Sequence, residues 1–272
     1  SLAEDELCST RIATRSKFSR ESLLTKLQAK KAKVYSYEAV DFTSPEKGLS
    51  KLLGLKKATR TSPNFSKSRK VLSLDSDFLG HREPNSAVNT KQFMQGRKVH
   101  SPKDSKGMNR LYSVESDLTI TGGVADHRLR LSSSQIEGFS ALILSKLLQT
   151  SADKNDKLLA HLDSLSEGLD SQEEWASECA NDLLINSKHS LAVAGSHLPA
   201  SVHLLTYKIN QVLGNHGTCL DYLQIEDSAG DLSSLCESLE NKDIDTLIFL
   251  GGNPVYHCPS IDWADLIKNT SS

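Results

Sequence analysis

Apolar positions along the chain fall into two alternating patterns. Short runs of β type, such as Lys70-Val-Leu-Ser-Leu-Asp75, Leu111 to Glu115, Leu191 to Ala194 and Thr246 to Leu250, are separated by stretches in which apolar residues recur every three or four positions. The rhythm predicts βαβ units around a mainly parallel sheet, hence an α/β chain. In order, the pattern predicts a strand at Arg11 to Thr14, a helix over 19–31, a strand at Val34 to Tyr37 and a helix opened by Ser44-Pro45 and ended by Gly54. A polar, basic loop over 56–68 precedes the Lys70 strand. A short helix over 90–97, the Leu111 strand, an extended Ala125 to Leu131 and a strong amphipathic helix over 134–149 complete a first lobe, 1–150. Residues 151–170 are polar and read as a linker. Ser171-Gln-Glu-Glu174 has capping-box spacing and opens the second lobe, 171–272. There the Leu191 strand, a helix over 199–213 stopped by Gly214, a strand at Tyr222 to Ile225, a helix capped by Asp231, the buried Thr246 strand and a last helix capped by Ser260 follow.

The 272 residues, 38% of them hydrophobic, are enough for a real core. No run approaches the roughly 18 apolar residues of a membrane span, and no targeting signal is visible. The chain opens on Ser1 rather than Met and reads as an excised segment. Its five cysteines form no C-x-x-C pair, which argues against a disulfide framework, a thiolate zinc site or an iron–sulfur cluster held by these residues alone.

The net charge of -2 conceals a split: residues 1–110 hold 23 Lys and Arg against 11 Asp and Glu, and residues 111–272 hold 9 against 23. A basic half can bind nucleic acid or phosphates, but here its Lys and Arg are not interleaved with aromatics, so nucleic acid is not the expected partner.

In open α/β sheets ligands sit beyond the carboxyl ends of strands, where glycine admits close approach and amide groups face anions. Four places fit: Asp75-Ser-Asp77 with Gly80, Glu115-Ser116 with Gly122-Gly123, Gly195-Ser196-His197, and Gly251-Gly252-Asn253-Pro254. Neither a dinucleotide G-x-G-x-x-G nor a phosphate-loop motif occurs, and Gly195-Ser196-His197 is not a nucleophile elbow. His197, His203, His216, Cys219, His257 and Cys258 match no closed zinc spacing, so no metal site is expected. Asp75, Asp77, Glu115 and Asp126 could act as acid–base groups, yet form no recognisable pair; capping helices or holding a hydroxyl is the plainer role. No catalytic residue is assigned.

The order of several segments resembles the large subunit of molybdopterin oxidoreductases. Leu111-Tyr-Ser-Val-Glu-Ser116 with Ala125-Asp126-His-Arg-Leu129 resembles that family's strand with an acidic end and its Ala-Asp stretch. Leu191-Ala-Val-Ala-Gly195, Asn210-Gln-Val-Leu-Gly-Asn215 and Leu247-Ile-Phe-Leu-Gly-Gly-Asn253-Pro254 resemble its later strands and turns. Met108 to Ser116, Thr119 to Arg128, Ser73 to Leu79 and Gly252 to Tyr256 are more closely similar to the molybdopterin-like portion of the iron–sulfur subunit of alternative complex III. The resemblance implies two Rossmann-like lobes facing each other. It also implies a redox-complex subunit on the periplasmic or membrane-associated side of a bacterial respiratory complex. Partner subunits, and iron–sulfur clusters elsewhere in the parent protein, follow from it. The residues it would carry over as a vestigial cofactor site are Gly251, Gly252, Asn253, Pro254, Gly195, Ser196, Glu115 and Asp126.

Departures weigh against a bound pterin guanine dinucleotide. Where the family has Gly-x-Asn-Pro after one strand, this chain reads Ser73-Leu-Asp-Ser-Asp77. Where it has Pro-Gly-Thr-Asp, the turn reads Ser133-Ser134-Gln135-Ile136, and an isoleucine cannot pair with a guanine edge. The reading is a scaffold with no cofactor in this segment. Two alternatives remain open: a true molybdopterin oxidoreductase fragment binding through Gly251 to Pro254 and Gly195 to His197, and an anion- or nucleic-acid-binding module.

Overall fold

The computed structural model describes residues 6–10, 17–30, 32–37, 44–55, 59–81, 83–150, 155–224, 230–250, 252–268 and 270. In chain order the strands are β1 (Glu6–Thr10), β2 (Lys33–Tyr37), β3 (Thr59–Pro63), β4 (Lys70–Leu74), β5 (Arg110–Glu115), β6 (His127–Arg130), β7 (Ser190–Ala194), β8 (Leu220–Gln224) and β9 (Leu247–Leu250). The helices are α1 (Lys17–Gln28), α2 (Ser44–Leu52), α3 (Ser86–Gln95), α4 (Ile120–Val124), α5 (Ile136–Gln149), α6 (Asp156–Leu165), α7 (Glu173–Ile185), α8 (Ala200–Leu213), α9 (Leu232–Glu240), α10 (Pro254–His257) and α11 (Trp263–Ile267). The fold is α/β and Rossmann-like, as the sequence pattern predicts.

Two compact units divide the chain, residues 42–225 and residues 1–41 with 226–272. This differs from the expected division at 151–170. The reason is strand pairing: β7, placed in the second lobe by sequence order, hydrogen-bonds in parallel to β4 along Lys70–Leu74 and so joins the sheet of the first. The supposed linker holds α6, whose Leu162 is 1% exposed in the same core and whose N-terminus is capped by the Asn155 side chain.

In the larger unit a parallel sheet runs β6-β5-β4-β7. One face, with Leu72, Leu74, Tyr112, Val114 and Ala192, packs on Ile136, Phe139, Ile143 and Leu147 of α5, Cys179 and Leu183 of α7, and Val202 and Ile209 of α8. The opposite face, with Val71, Leu111 and Leu191, packs on Phe65, Phe78, Phe93 of α3 and Leu220 of β8. Burial on both faces explains why these strands read as apolar runs rather than alternating ones. At the amino end, Asp182 of α7 ties the sheet together, accepting from Lys70 Nζ (3.0 Å), Arg110 (2.9 Å) and the Tyr112 hydroxyl (2.9 Å). Burial alone would raise the Asp182 carboxyl, but these donors outweigh it and hold it below the usual carboxylate range.

The loop expected over 56–68 contains β3, which pairs antiparallel with β8. Its Thr-Arg-Thr-Ser-Pro wording carries no apolar alternation, so the pairing is set by tertiary contact rather than by local pattern. The Ser171 capping box does not form: Ser171 bonds to Gln172, and α7 starts after a short 3-10 turn. Asp262, not Ser260, caps the last helix, accepting from Asp265 N–H (3.1 Å).

The smaller unit has a parallel sheet β2-β1-β9 and a core of Tyr35, Leu235, Leu239, Ile244 and Trp263. Asp231 caps α9 as expected. The strand expected at Arg11 to Thr14 lies outside the described residues. β9, expected to be buried, is partly exposed: Leu247 and Phe249 pack on one side and Leu250 on the other, all half-buried, and Ile248 is exposed. Among the described residues no helix is long and apolar enough to cross a membrane.

Candidate functional site

The larger sheet has a topological switch. From β4 the chain leaves to α3 on the Phe93 face, and from the adjacent β7 it leaves to α8 on the Leu72 face. The carboxyl ends of two neighbouring strands whose connections diverge are where open α/β sheets make crevices. Two gaps meet at β4: one toward β5, the other toward β7.

The β4–β5 gap is filled by carboxyl groups. Asp75 follows β4 in the left-handed conformation (φ 48), which aspartate tolerates better than most residues. Its side chain accepts from Ser116 N–H (3.1 Å), the Ser116 hydroxyl (3.1 Å), the Ser133 hydroxyl (3.2 Å) and His197 Nε2 (3.4 Å). Burial pushes the Asp75 carboxyl up; His197 and Ser116 outweigh it and hold it below its ordinary range. Asp77 accepts from Thr121 N–H (3.1 Å) and the Thr121 hydroxyl (2.9 Å). Glu115, at the end of β5, is buried and accepts from the Thr119 hydroxyl (2.6 Å) and Arg128 Nε (2.5 Å). Gly122 leaves room for this side chain: a β-carbon on it would stand 1.7 Å from a Glu115 carboxylate oxygen.

The β4–β7 gap is built differently. Gly195 follows β7 so closely against β4 that a β-carbon would lie 2.3 Å from the Asp75 carbonyl oxygen. Next to it, Ser196 donates its N–H to Glu83 Oε1 (2.9 Å), and its buried hydroxyl lies beside the same carboxyl group. Burial pushes the Glu83 carboxyl up, and the Ser196 N–H and hydroxyl only partly offset it. His203, near the start of α8, bonds through Nε2 to the Gly195 carbonyl (3.1 Å), and burial lowers its pKa. Beside these groups lies a cavity of about 130 Å³, walled by Phe65, Phe78, Tyr207 and Tyr222 among others.

Of the residues singled out from sequence, Glu115, Gly195 and Ser196 come together at this end of the sheet. Asp126 does not. It precedes β6 at the amino end, where it takes a bidentate pair from Arg97 (2.9 and 2.5 Å) and the Leu111 N–H (2.7 Å). Its part in the structure is to join β5 and β6, because in a parallel register the residue before β6 faces the start of β5. Gly252, Asn253 and Pro254 follow β9 in the smaller unit, where Asn253 Oδ1 caps the single-turn α10 through Tyr256 N–H (3.4 Å). Gly251 lies outside the described residues. Glu83, Tyr207 and Tyr222 carried no sequence signal: Glu83 sits in a loop, and the tyrosines reach the cavity only through the fold. His203 was visible as an imidazole but not as a partner of Gly195. Among the described residues no group of three His, Cys, Asp or Glu side chains is placed to hold a metal ion.

No family model and no curated protein sequence matches the chain. Among solved structures the fold is similar to acetylene hydratase from Pelobacter acetylenicus, with a TM-score of 0.50 and 12% identity. The match covers 80% of this chain and 30% of the hydratase, so the chain spans under a third of that protein's length. The likeness is one of fold. It does not reach cofactors, substrates, partners or a respiratory assembly.

Proposed function

We propose that the chain is a pterin-free, Rossmann-like portion of a molybdopterin-oxidoreductase-like redox subunit, and that it serves as scaffold in a bacterial quinol-oxidising complex. Electrons pass through iron–sulfur clusters elsewhere in that assembly, on its periplasmic or membrane-associated side. The assembly part rests on the wording of Met108 to Ser116, Thr119 to Arg128 and Gly252 to Tyr256.

The pterin-free part rests on one observation: the strand-end amides are already in use. Ser116, Thr121 and Ser196 donate their N–H groups to Asp75, Asp77 and Glu83. A diphosphate at a strand end is held by such N–H groups. Here it would meet carboxyl oxygens, which accept and do not donate when ionised. Displacing a carboxyl group to admit the phosphate leaves buried donors unpaired, at about 1 to 3 kcal/mol each. Ile136, standing where the family has a guanine-binding carboxylate, is fully buried in the helix-side core. Asn253 spends its side-chain oxygen on its own helix. These residues do not fit a pterin guanine dinucleotide, and no redox step is assigned to them.

The test is isolation of the full-length polypeptide from a host that makes the cofactor. Molybdenum and tungsten are measured by mass spectrometry, pterin by fluorescence after oxidative release, and co-isolated subunits by proteomics. The expected result is neither metal nor pterin, with membrane subunits of a quinol-oxidising complex co-isolating. Stoichiometric metal and pterin overturn the pterin-free reading, and isolation free of any redox partner overturns the scaffold reading.

A further inference from the structure

The cavity beside β7 is not explained by a scaffold role. Its volume of about 130 Å³ is close to the roughly 150 Å³ that admits one six-membered ring in a protein interior. Four of its walls are aromatic: Phe65 and Phe78, stacked at 4.3 Å, and Tyr207 and Tyr222, tilted at 5.3 Å. The polar wall holds Glu83 and Ser196. Glu83 is oriented by the Ser196 N–H on Oε1, with the Ser196 hydroxyl beside it. A buried carboxyl group with few donors is a standing cost that the N–H groups of a ligand would remove.

We infer that this cavity binds a small planar ligand of one ring that carries an amidine-like edge of paired N–H donors, directed at the Glu83 carboxyl group and the Ser196 hydroxyl. A carboxylate and a planar N–C–N edge match in bidentate fashion, and the tyrosine and phenylalanine faces favour a cation over an anion. Charges of both signs surround the site. Asp77 lies close enough to act on Glu83, and burial disfavours the charged form of His203. Arg60 is the basic side chain on the wall, and His197 faces Glu83 from beyond Gly195. The opposite class, a carboxylate or phosphate ligand, would face Glu83 directly.

The probe is benzamidine, titrated into the isotope-labelled chain and followed by amide chemical shifts, with benzoate as the anion of matched shape. Benzamidine is expected to bind saturably at about 1 mM or tighter, as its size allows. Shifts should centre on Glu83, Ala194, Ser196 and Tyr222, and benzoate should give none. Glu83→Gln still accepts the Ser196 N–H, so its fold should hold, and it should weaken benzamidine at least about tenfold by removing the charged acceptor. Ser196→Ala provides a second reading should the first variant not fold, with an expected loss of about threefold or more. The inference is overturned by any of four results: no saturable shift, shifts centred elsewhere, benzoate binding as well as benzamidine, or affinity unchanged in both variants.

Discussion

The two gaps at β4 obey one rule of α/β architecture and reach different ends. Toward β5, every strand-end donor named above is matched by a carboxyl group, and Gly122 is small because Glu115 occupies the space. Toward β7, Glu83 takes the N–H and hydroxyl of Ser196, burial still raises its pKa, and a cavity remains. A crevice at a switch point is therefore an opportunity and not yet a site. What decides is whether the chain's own side chains consume the donors that a ligand would use.

The joint between the gaps should be the most costly place to disturb. Gly195→Ala sets a β-carbon 2.3 Å from the Asp75 carbonyl oxygen, and backbone cannot move aside as a flexible side chain can. Because β4 and β7 are held in register by their parallel pairing, the expected loss is about 3 kcal/mol, read from urea unfolding. A loss within experimental error would mean that the strands part freely there, and the contrast between a sealed and an open gap would lose its structural basis.

Breaking the sealed side alone should cost somewhat less. Asp77→Ala leaves the N–H and hydroxyl of fully buried Thr121 without their acceptor, for an expected loss of about 2 kcal/mol, while Asp77→Asn keeps one acceptor and loses less. Equal stability of the Asp77→Ala variant and the parent would show that the carboxyl group is not what closes this gap.

How much of this contrast was legible in sequence depends on the range of the interactions. β4, β5 and β7 were visible because parallel strands covered on both faces write themselves as apolar runs, and Gly214 marked the end of α8 by its positive φ of 63. Asp75, Asp77 and Glu115 were visible as acidic residues at strand ends. Their partners were not: Ser116 and Thr121 are ordinary turn residues until register brings β5 alongside β4. Strand order was also out of reach. Nothing local in Ser190–Ala194 says that it pairs with Lys70–Leu74, more than a hundred positions earlier, and the misplaced domain boundary followed from that. β3 was missed for the same reason, since its partner β8 supplies the order that its own residues lack.

Acid should act next in size, on carboxyl groups held by donors at both ends of the larger sheet. The carboxyl groups of Asp75, Asp126 and Asp182 are held below their ordinary range in the fold, so each contributes stability that is present above its unfolded pKa and is lost as pH falls through its folded pKa. The urea midpoint should be nearly level from neutrality to about pH 5 and then fall steadily below about pH 4, where unfolded aspartates begin to take up protons first. Asp182→Asn should flatten part of that fall. A midpoint that rises on acidification would mean that these carboxyl groups are strained by burial rather than held by their donors.

Glu83 should give the smallest effect and the opposite sign, which makes it the sharpest probe of the difference between the gaps. Burial raises its pKa in the fold, so its contribution to stability is fully present below the unfolded value and is lost as pH rises through the folded one. The ionised form of Glu83 is less well supported in the fold than in the unfolded chain. Glu83→Gln keeps the acceptor for Ser196 N–H and removes that charge, so it should raise the urea midpoint slightly near neutrality. The two proteins should then converge below about pH 4, where an unfolded glutamate is itself largely protonated. Asp77, which acts on Glu83 in the same direction as burial, should contribute to this gain, and His197, which opposes it, should reduce it. A Glu83→Gln variant that is less stable at neutrality, with the deficit disappearing in acid, would mean that Glu83 is held as firmly as Asp75. The β7 side would then be a second sealed gap, with no donor shortage for a ligand to relieve.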